Sequence, residues 1–172
     1  RFSASERIAK PEAYHSAQRA RRAALESLLW VDLNQEALDP MLDLIELICQ
    51  EDCWGVSFEK FDDPMCPRID AQAAETGVLI AWTLRKHGAK IGDAAPGLSA
   101  RMLCEVRRRL FAPILNGGDY DFLRGEGATP ALILTDIAVA CMLMEKTPSR
   151  RLPPLKLILH TLDRLCMTKR CA

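Results

Sequence analysis

The sequence predicts an all-α protein, with about six helices folded as stacked antiparallel hairpins. Three observations predict it. Apolar residues recur at three- and four-residue spacing in stretch after stretch, the mark of a helix with one buried stripe. No stretch shows the sustained apolar–polar alternation of a half-buried strand. Proline, glycine, asparagine and aspartate fall near the ends of the periodic stretches, where helices start and stop.

The first helix is expected from Pro11 to Leu29, since proline suits a first turn whose N–H groups lack partners. Its segment Gln18-Arg19-Ala20-Arg21-Arg22 is polar and expected on a solvent face. The second is expected from Gln35 to Gln50, with Asn34 as N-cap. Leu38, Met41, Leu42, Ile45, Ile48 and Cys49 form its stripe, and Pro40 restricts where regular helix begins. Asp70 caps the third helix. Ala73, Ala74, Val78, Ala81, Trp82 and Leu84 point inward there, and Gly88 after His87 is the expected stop. The fourth starts near Leu98 or Ser99 and reaches Phe111, where Pro113 ends or kinks it. The fifth, Pro130 to Lys146, is apolar on nearly every side and so expected to be covered on several faces. The sixth runs from Pro154 to Met167 with Leu155, Ile158, Leu159, Leu162 and Leu165 inward. Two long connections, 55–69 and 116–129, are candidates for function or motion. Thr168 to Ala172 reads as a frayed end.

A chain of 172 residues, 49% apolar, is long enough for one domain with a real core. The 23 basic and 23 acidic residues balance, so no long-range field draws the chain to nucleic acid or an anionic membrane. An anionic ligand must be held by local basic groups. No apolar run is long enough to span a bilayer, and no signal-peptide pattern follows Arg1. The seven cysteines are odd in number and lack metal-site spacing, which suggests reduced, mostly buried thiols and a cytoplasmic setting. His15, His87 and His160 lie far apart, so no zinc site is expected. His15 and His87 are expected near helix surfaces, and His160 in the core. No cofactor is expected: phosphate-loop and nucleotide fingerprints are absent, as is a Ser/His/Asp pattern.

Three separated stretches are similar to the helical domain of the heparinase II/III-like polysaccharide lyases, a family that includes alginate lyases. They are Cys49-Gln50-Glu51-Asp52-Cys53-Trp54; Ile69 through Gly77 with Ala81-Trp82; and Cys104 through Leu110 followed by Pro113. A weaker echo is Met144 through Arg151. The resemblance covers about residues 30 to 165. It implies an α/α toroid followed by β-sandwich domains, of which this chain would supply an incomplete toroid and no sandwich. It also implies β-elimination of uronic-acid polysaccharides. That reaction needs a group to neutralise the carboxylate beside the leaving proton, and a base, usually Tyr or His, to remove the proton. The sequence departs from the family where that chemistry should sit. Gly55-Val56-Ser57-Phe58 follows Trp54 without the usual histidine, and Gly125 through Ala131 replaces the Asn-Trp motif. The catalytic set is therefore incomplete.

Tyr120, in the glycine-rich loop, is the candidate base, against the plainer reading of an ordinary loop tyrosine. Glu51 and Trp54 read either as the lining of a sugar cleft or as a core indole beside a solvated acid. Glu75 lies in an alanine-rich stretch, and its natural partner is Arg108 or Arg109. Arg107-Arg108-Arg109 can grip a uronate or sulfate by two-point hydrogen bonding, or simply be a solvated face. The expected partner is an acidic polysaccharide or oligosaccharide, with self-association through apolar surface that missing hairpins would have covered. The rival reading is a non-catalytic helical-repeat module that binds protein.

Overall fold

The computed structural model describes residues 11–56, 68–127 and 129–170, with side chains to residue 167. Every regular element among them is helical. In chain order they are α1 (Pro11–Leu29), α2 (Gln35–Cys49), α3 (Ala71–Ala94), α4 (Leu98–Val106), a π-helical turn (Arg107–Phe111), α5 (Ala112–Leu115), α6 (Asp121–Arg124), α7 (Pro130–Met144) and α8 (Pro148–Arg170). No described helix is long and apolar enough to cross a membrane.

The caps read from sequence are in place. Asn34 accepts the Ala37 N–H at 3.0 Å, and Asp70 accepts the Ala73 N–H at 2.9 Å. The other Asp70 oxygen takes the Val56 N–H at 2.7 Å, so one carboxylate starts α3 and anchors the preceding connection. Pro40 sits inside α2 without delaying its start, because it lies close enough to the N-terminus to lose little hydrogen bonding. Gly88 does not stop α3, which continues to Ala94. Its place there costs helix propensity, but contacts on several sides of α3 outweigh about 1 kcal/mol. Pro113 neither ends nor sharply kinks the fourth stretch. It has no N–H for the Arg109 carbonyl, and the turn before it widens to the π form, with the Ala112 N–H bonded to the Arg107 carbonyl. The last helix begins at Pro148, earlier than expected, with Pro153 and Pro154 inside its opening turns.

Cross-helix bonds fix the helix directions. Arg22 of α1 and Gln72 of α3 both donate to the Trp54 carbonyl, while Lys86 and His87 of α3 reach the Leu29 carbonyl at the end of α1. α1 and α3 are therefore parallel. Arg101 pairs with Glu46, and further along Arg109 meets the Glu51 and Asp52 carbonyls, so α2 and α4 also run together. α3 and α7 run together too, since Glu75 acts on Asp136 near their starts and Leu84 and Gly88 share a cavity with Leu143 and Met144 near their ends. The result is two antiparallel layers, α1–α3–α7 and α2–α4/α5–α8. It is a row of three hairpins among the described residues.

α3 is central, touching α1, α2, α4, the π turn and α7. Its Gly77 receives the side chain of Leu110 where a Cβ would collide. Leu25, Met41, Ile45, Ile48, Ile80, Ile91, Met102, Leu110, Leu134, Ile137 and Ile158 fill the core. Lys86 and His87 reach the Leu29 carbonyl at the C-terminal end of α1, where a cation such as Lys86 is favoured, and Lys90 reaches the Leu33 carbonyl in the connection that follows.

Several burial expectations are reversed. His15 and His87 are buried, and His160 is exposed on α8. Trp82 is 40% exposed, because its position on α3 falls outside the faces covered by α1, α4 and α7. Leu159 also points outward. Cys49 and Cys141 are buried, whereas Cys104 and Cys166 are exposed; Cys66 and Cys171 lie outside the described residues. Burial pushes the Cys49 thiol up to about 12 and the Cys141 thiol up to about 11, so neither is a nucleophile at neutral pH.

Replacing Asp70 by Ala removes both the cap and the Val56 anchor. We expect a loss of about 1–2 kcal/mol in chemical denaturation, with Asp70→Asn retaining part of it. An unchanged midpoint in Asp70→Ala would show that the cap contributes nothing.

Candidate functional site

Two places gather polar side chains, one where α1, the end of α2 and the π turn meet, the other where α3, α4 and the α7–α8 junction meet. The first lies where α2 ends. There Glu51 is buried and held by Arg21 at 2.6 Å and Arg22 at 3.5 Å, with Gln18 Nε2 at 3.1 Å from the same carboxylate. Gln18 also donates to the Cys53 carbonyl at 2.7 Å. The segment expected on a solvent face thus contributes a fully buried amide and two half-buried guanidinium groups. Its charges face inward because Glu51 needs compensation there.

Trp54 is 2% exposed and gives its indole N–H to the Ile48 carbonyl at 3.0 Å. The Arg109 guanidinium lies 4.8 Å from the centre of its ring. Arg109 itself is 5% exposed. It donates to the Glu51 carbonyl, to the Asp52 carbonyl at 2.9 Å and to Glu105 at 2.9 Å. Its fork closes the end of α2 where the helix carbonyls run out.

Glu51, Trp54 and Arg109 therefore come together as a closed clamp, whereas Arg108, the arginine expected beside Glu51 and Trp54, lies outside it. No face of the indole is left for a sugar ring, and the Glu51 oxygens are already taken. Of the two readings of this pair, the open cleft does not form; Trp54 is a core indole, and the acid beside it is buried and bonded where a solvated one was expected. Arg108 is exposed and bonds Glu105 at 2.8 Å. The partner expected for Glu75 is corrected too: Arg108 and Arg109 are engaged by Glu105, and Glu75 is exposed on α3. Its charge, after burial, helps raise the Asp136 pKa. Tyr120 is 8% exposed and stacked on Phe122 with ring centres 5.3 Å apart. Its ring is part of the core, which removes the open setting expected of a base that meets a polymer.

Burial acts to raise the Glu105 pKa, but hydrogen bonds from Arg108 and Arg109 outweigh it and hold the carboxyl below its ordinary value. Burial lowers the pKa of Arg22 and Arg109, which remain cations at any physiological pH.

The second place is a cavity of about 600 Å³ between the end of α3, the start of α4 and the α7–α8 junction. Arg85, Arg107, Lys146 and Arg150 line it, with Leu84, Leu103 and Leu143 as apolar wall. Its one acidic lining residue, Glu145, is buried and bound two-fold by Arg107 at 2.5 and 2.7 Å. The hydrogen bond to Glu145 raises the Arg107 pKa further. Among the described residues, three cationic side chains thus surround a cavity whose one carboxylate is already paired with Arg107. The Ser99 hydroxyl, also in the lining, is shielded from solvent and has no hydrogen-bond partner among the described residues. Donors of this kind suit an anion with several oxygens. Among the described residues no three His, Cys, Asp or Glu side chains converge as a metal site requires.

Of these cavity residues sequence reasoning named only Arg107, within the Arg107-Arg108-Arg109 run read as a grip for uronate or sulfate or as a solvated face. The available signal was the basic run around the α7–α8 junction, Lys146 to Arg151, but Arg85 and Arg107 join it only through the fold. No protein-family model matches the chain, and a search of curated proteins finds no match.

Glu51→Ala strands two guanidinium groups beside a buried cap. We expect a loss of about 3–5 kcal/mol, read as an early denaturation midpoint, with Glu51→Gln losing less. A loss below about 1 kcal/mol would mean that water readily replaces the carboxylate. Glu105 has a depressed folded pKa, so its contribution is complete above its unfolded value of about 4.3 and fades as pH falls through the folded value. The stability gap between the native chain and Glu105→Gln should narrow over that acid range. A gap that stays constant down to about pH 3 would rule out a charge contribution.

Proposed function

We propose that the chain is a non-catalytic helical binding unit that takes an anionic group of an acidic oligosaccharide in the cationic cavity. The observation that carries this reading is the lining. Arg85, Lys146 and Arg150 flank about 600 Å³ whose single carboxylate is tied to Arg107. The overall charge is zero, so this local excess is what an anion would respond to. Uronate is the favoured anion because of the resemblance of residues 30–165 to the helical domain of heparinase II/III-like lyases. In that frame the three hairpins are an arc of an α/α toroid, and elimination chemistry requires segments that this chain does not supply. The closed state of Glu51 and Trp54 and the core position of Tyr120 support a binding role over a catalytic one.

Calorimetry with uronate oligosaccharides, with and without sulfate, against a neutral glucan tests it. We expect binding of the acidic sugars only, weakening as salt rises. Arg150→Glu and Arg85→Glu should each weaken it at least tenfold, about 1.4 kcal/mol, without changing the unfolding midpoint. Ultraviolet absorbance of the mixtures should show no unsaturated product. Equal affinity for the neutral glucan, or unaltered binding by both variants, would remove the cavity from consideration. Unsaturated product formed by the chain would overturn the non-catalytic assignment.

A further inference from the structure

We infer that the outward stripe of α8 is a self-recognition surface, pairing antiparallel with the same stripe of a second copy of this chain. The stripe is Leu152, Lys156, Leu159, Asp163 and Met167, spaced four, three, four and four residues apart, so all lie along one side of a helix. Leu152, Leu159 and Met167 are 48%, 57% and 65% exposed. Pro154, Ile158 and Thr161, which α8 buries, lie about half a turn away. The stripe therefore lies opposite the side by which α8 packs on the hairpin row.

Charge order selects the partner and its direction. Among the described residues neither Lys156 nor Asp163 makes a salt bridge. A parallel copy would set Lys156 against the partner's Lys156 and Asp163 against the partner's Asp163. An antiparallel copy with its two-fold axis between Leu159 and His160 sets Lys156 against the partner's Asp163, and the reverse pair follows by symmetry. The same register places Leu152 opposite the partner's Met167 and brings the two Leu159 side chains together at the axis. Apolar and charged positions both match in one register, which is what a self-complementary surface requires. A single helix crossing of this length is at the small end of specific interfaces, so the dimer is weak and concentration-dependent.

Sedimentation velocity of the full chain over a concentration series tests this inference independently of sugar binding. The native chain should shift from monomer to dimer. Lys156→Asp and Asp163→Lys should each weaken the dimer roughly tenfold or more, since each replaces two attractions by two repulsions. The double variant Lys156→Asp with Asp163→Lys should restore it. Both substitutions are on exposed positions, and circular dichroism of the three variants should match that of the native chain. A native chain that stays monomeric, single variants that dimerise normally, or a double variant that stays as weak as the singles would each overturn the proposal. Leu159→Cys gives a second readout: oxidation should link position 159 to itself, identified by mass spectrometry of the linked peptide, and failure to link would also exclude the register.

Discussion

The Arg109 guanidinium is the constraint on which much of the fold depends. One planar group joins the end of α2, the indole of Trp54 and the acid of α4. Lysine could not do the same, because the arrangement uses a fork with fixed donor directions and a flat face to lie over a ring. The π turn that carries Arg109 follows from proline chemistry about one helical turn further along: Pro113 has no N–H to bond the Arg109 carbonyl. Helix breaking and helix capping are thereby solved by the same few residues.

The two polar clusters, joined to the π turn through Arg109 and Arg107, use charge in opposite ways. At the Glu51 cluster the acids Glu51 and Glu105 are each bonded by two arginines, which holds α1, α2 and α4 in register. Such a network is poor at taking a ligand, because the Glu51 oxygens and the Arg109 fork are already bonded. The Arg22 Nε and Nη1, which have no hydrogen-bond partner among the described residues, are shielded from solvent. At the Glu145 cluster a single buried acid engages one arginine and leaves other cations around open volume. The cavity is thus the place where an added anion would be welcomed by the existing field.

Much of the helical plan is legible in the sequence. The α1 limits match the expected ones, Asn34 and Asp70 cap the helices they were expected to cap, and the apolar stripe of α2 is buried except for the half-buried Leu42. The misreadings share one cause. Gln18, Arg21 and Arg22 read as a solvent face because polarity alone was considered, yet a buried Glu51 some thirty residues on draws them inward. Gly88 read as a stop because glycine is permissive, yet the neighbours of α3 hold the helix through it. His160 and Leu159 read as inward because α8 is rich in leucine, but only one side of that helix meets α7.

The sequence by itself determined the helical class, the caps and the apolar periodicity, because these depend on residues within a turn or two of one another. It also determined that any anion would have to be met locally, since the total charge is zero. Only the tertiary structure decided which polar groups are consumed and which remain available. Glu51, Trp54 and Arg109 become a closed clamp, and Arg85, Arg107 and Arg150 become neighbours across a cavity, through contacts between residues 20 to 65 positions apart. Such contacts follow from how three hairpins lie against one another, and no local pattern encodes that.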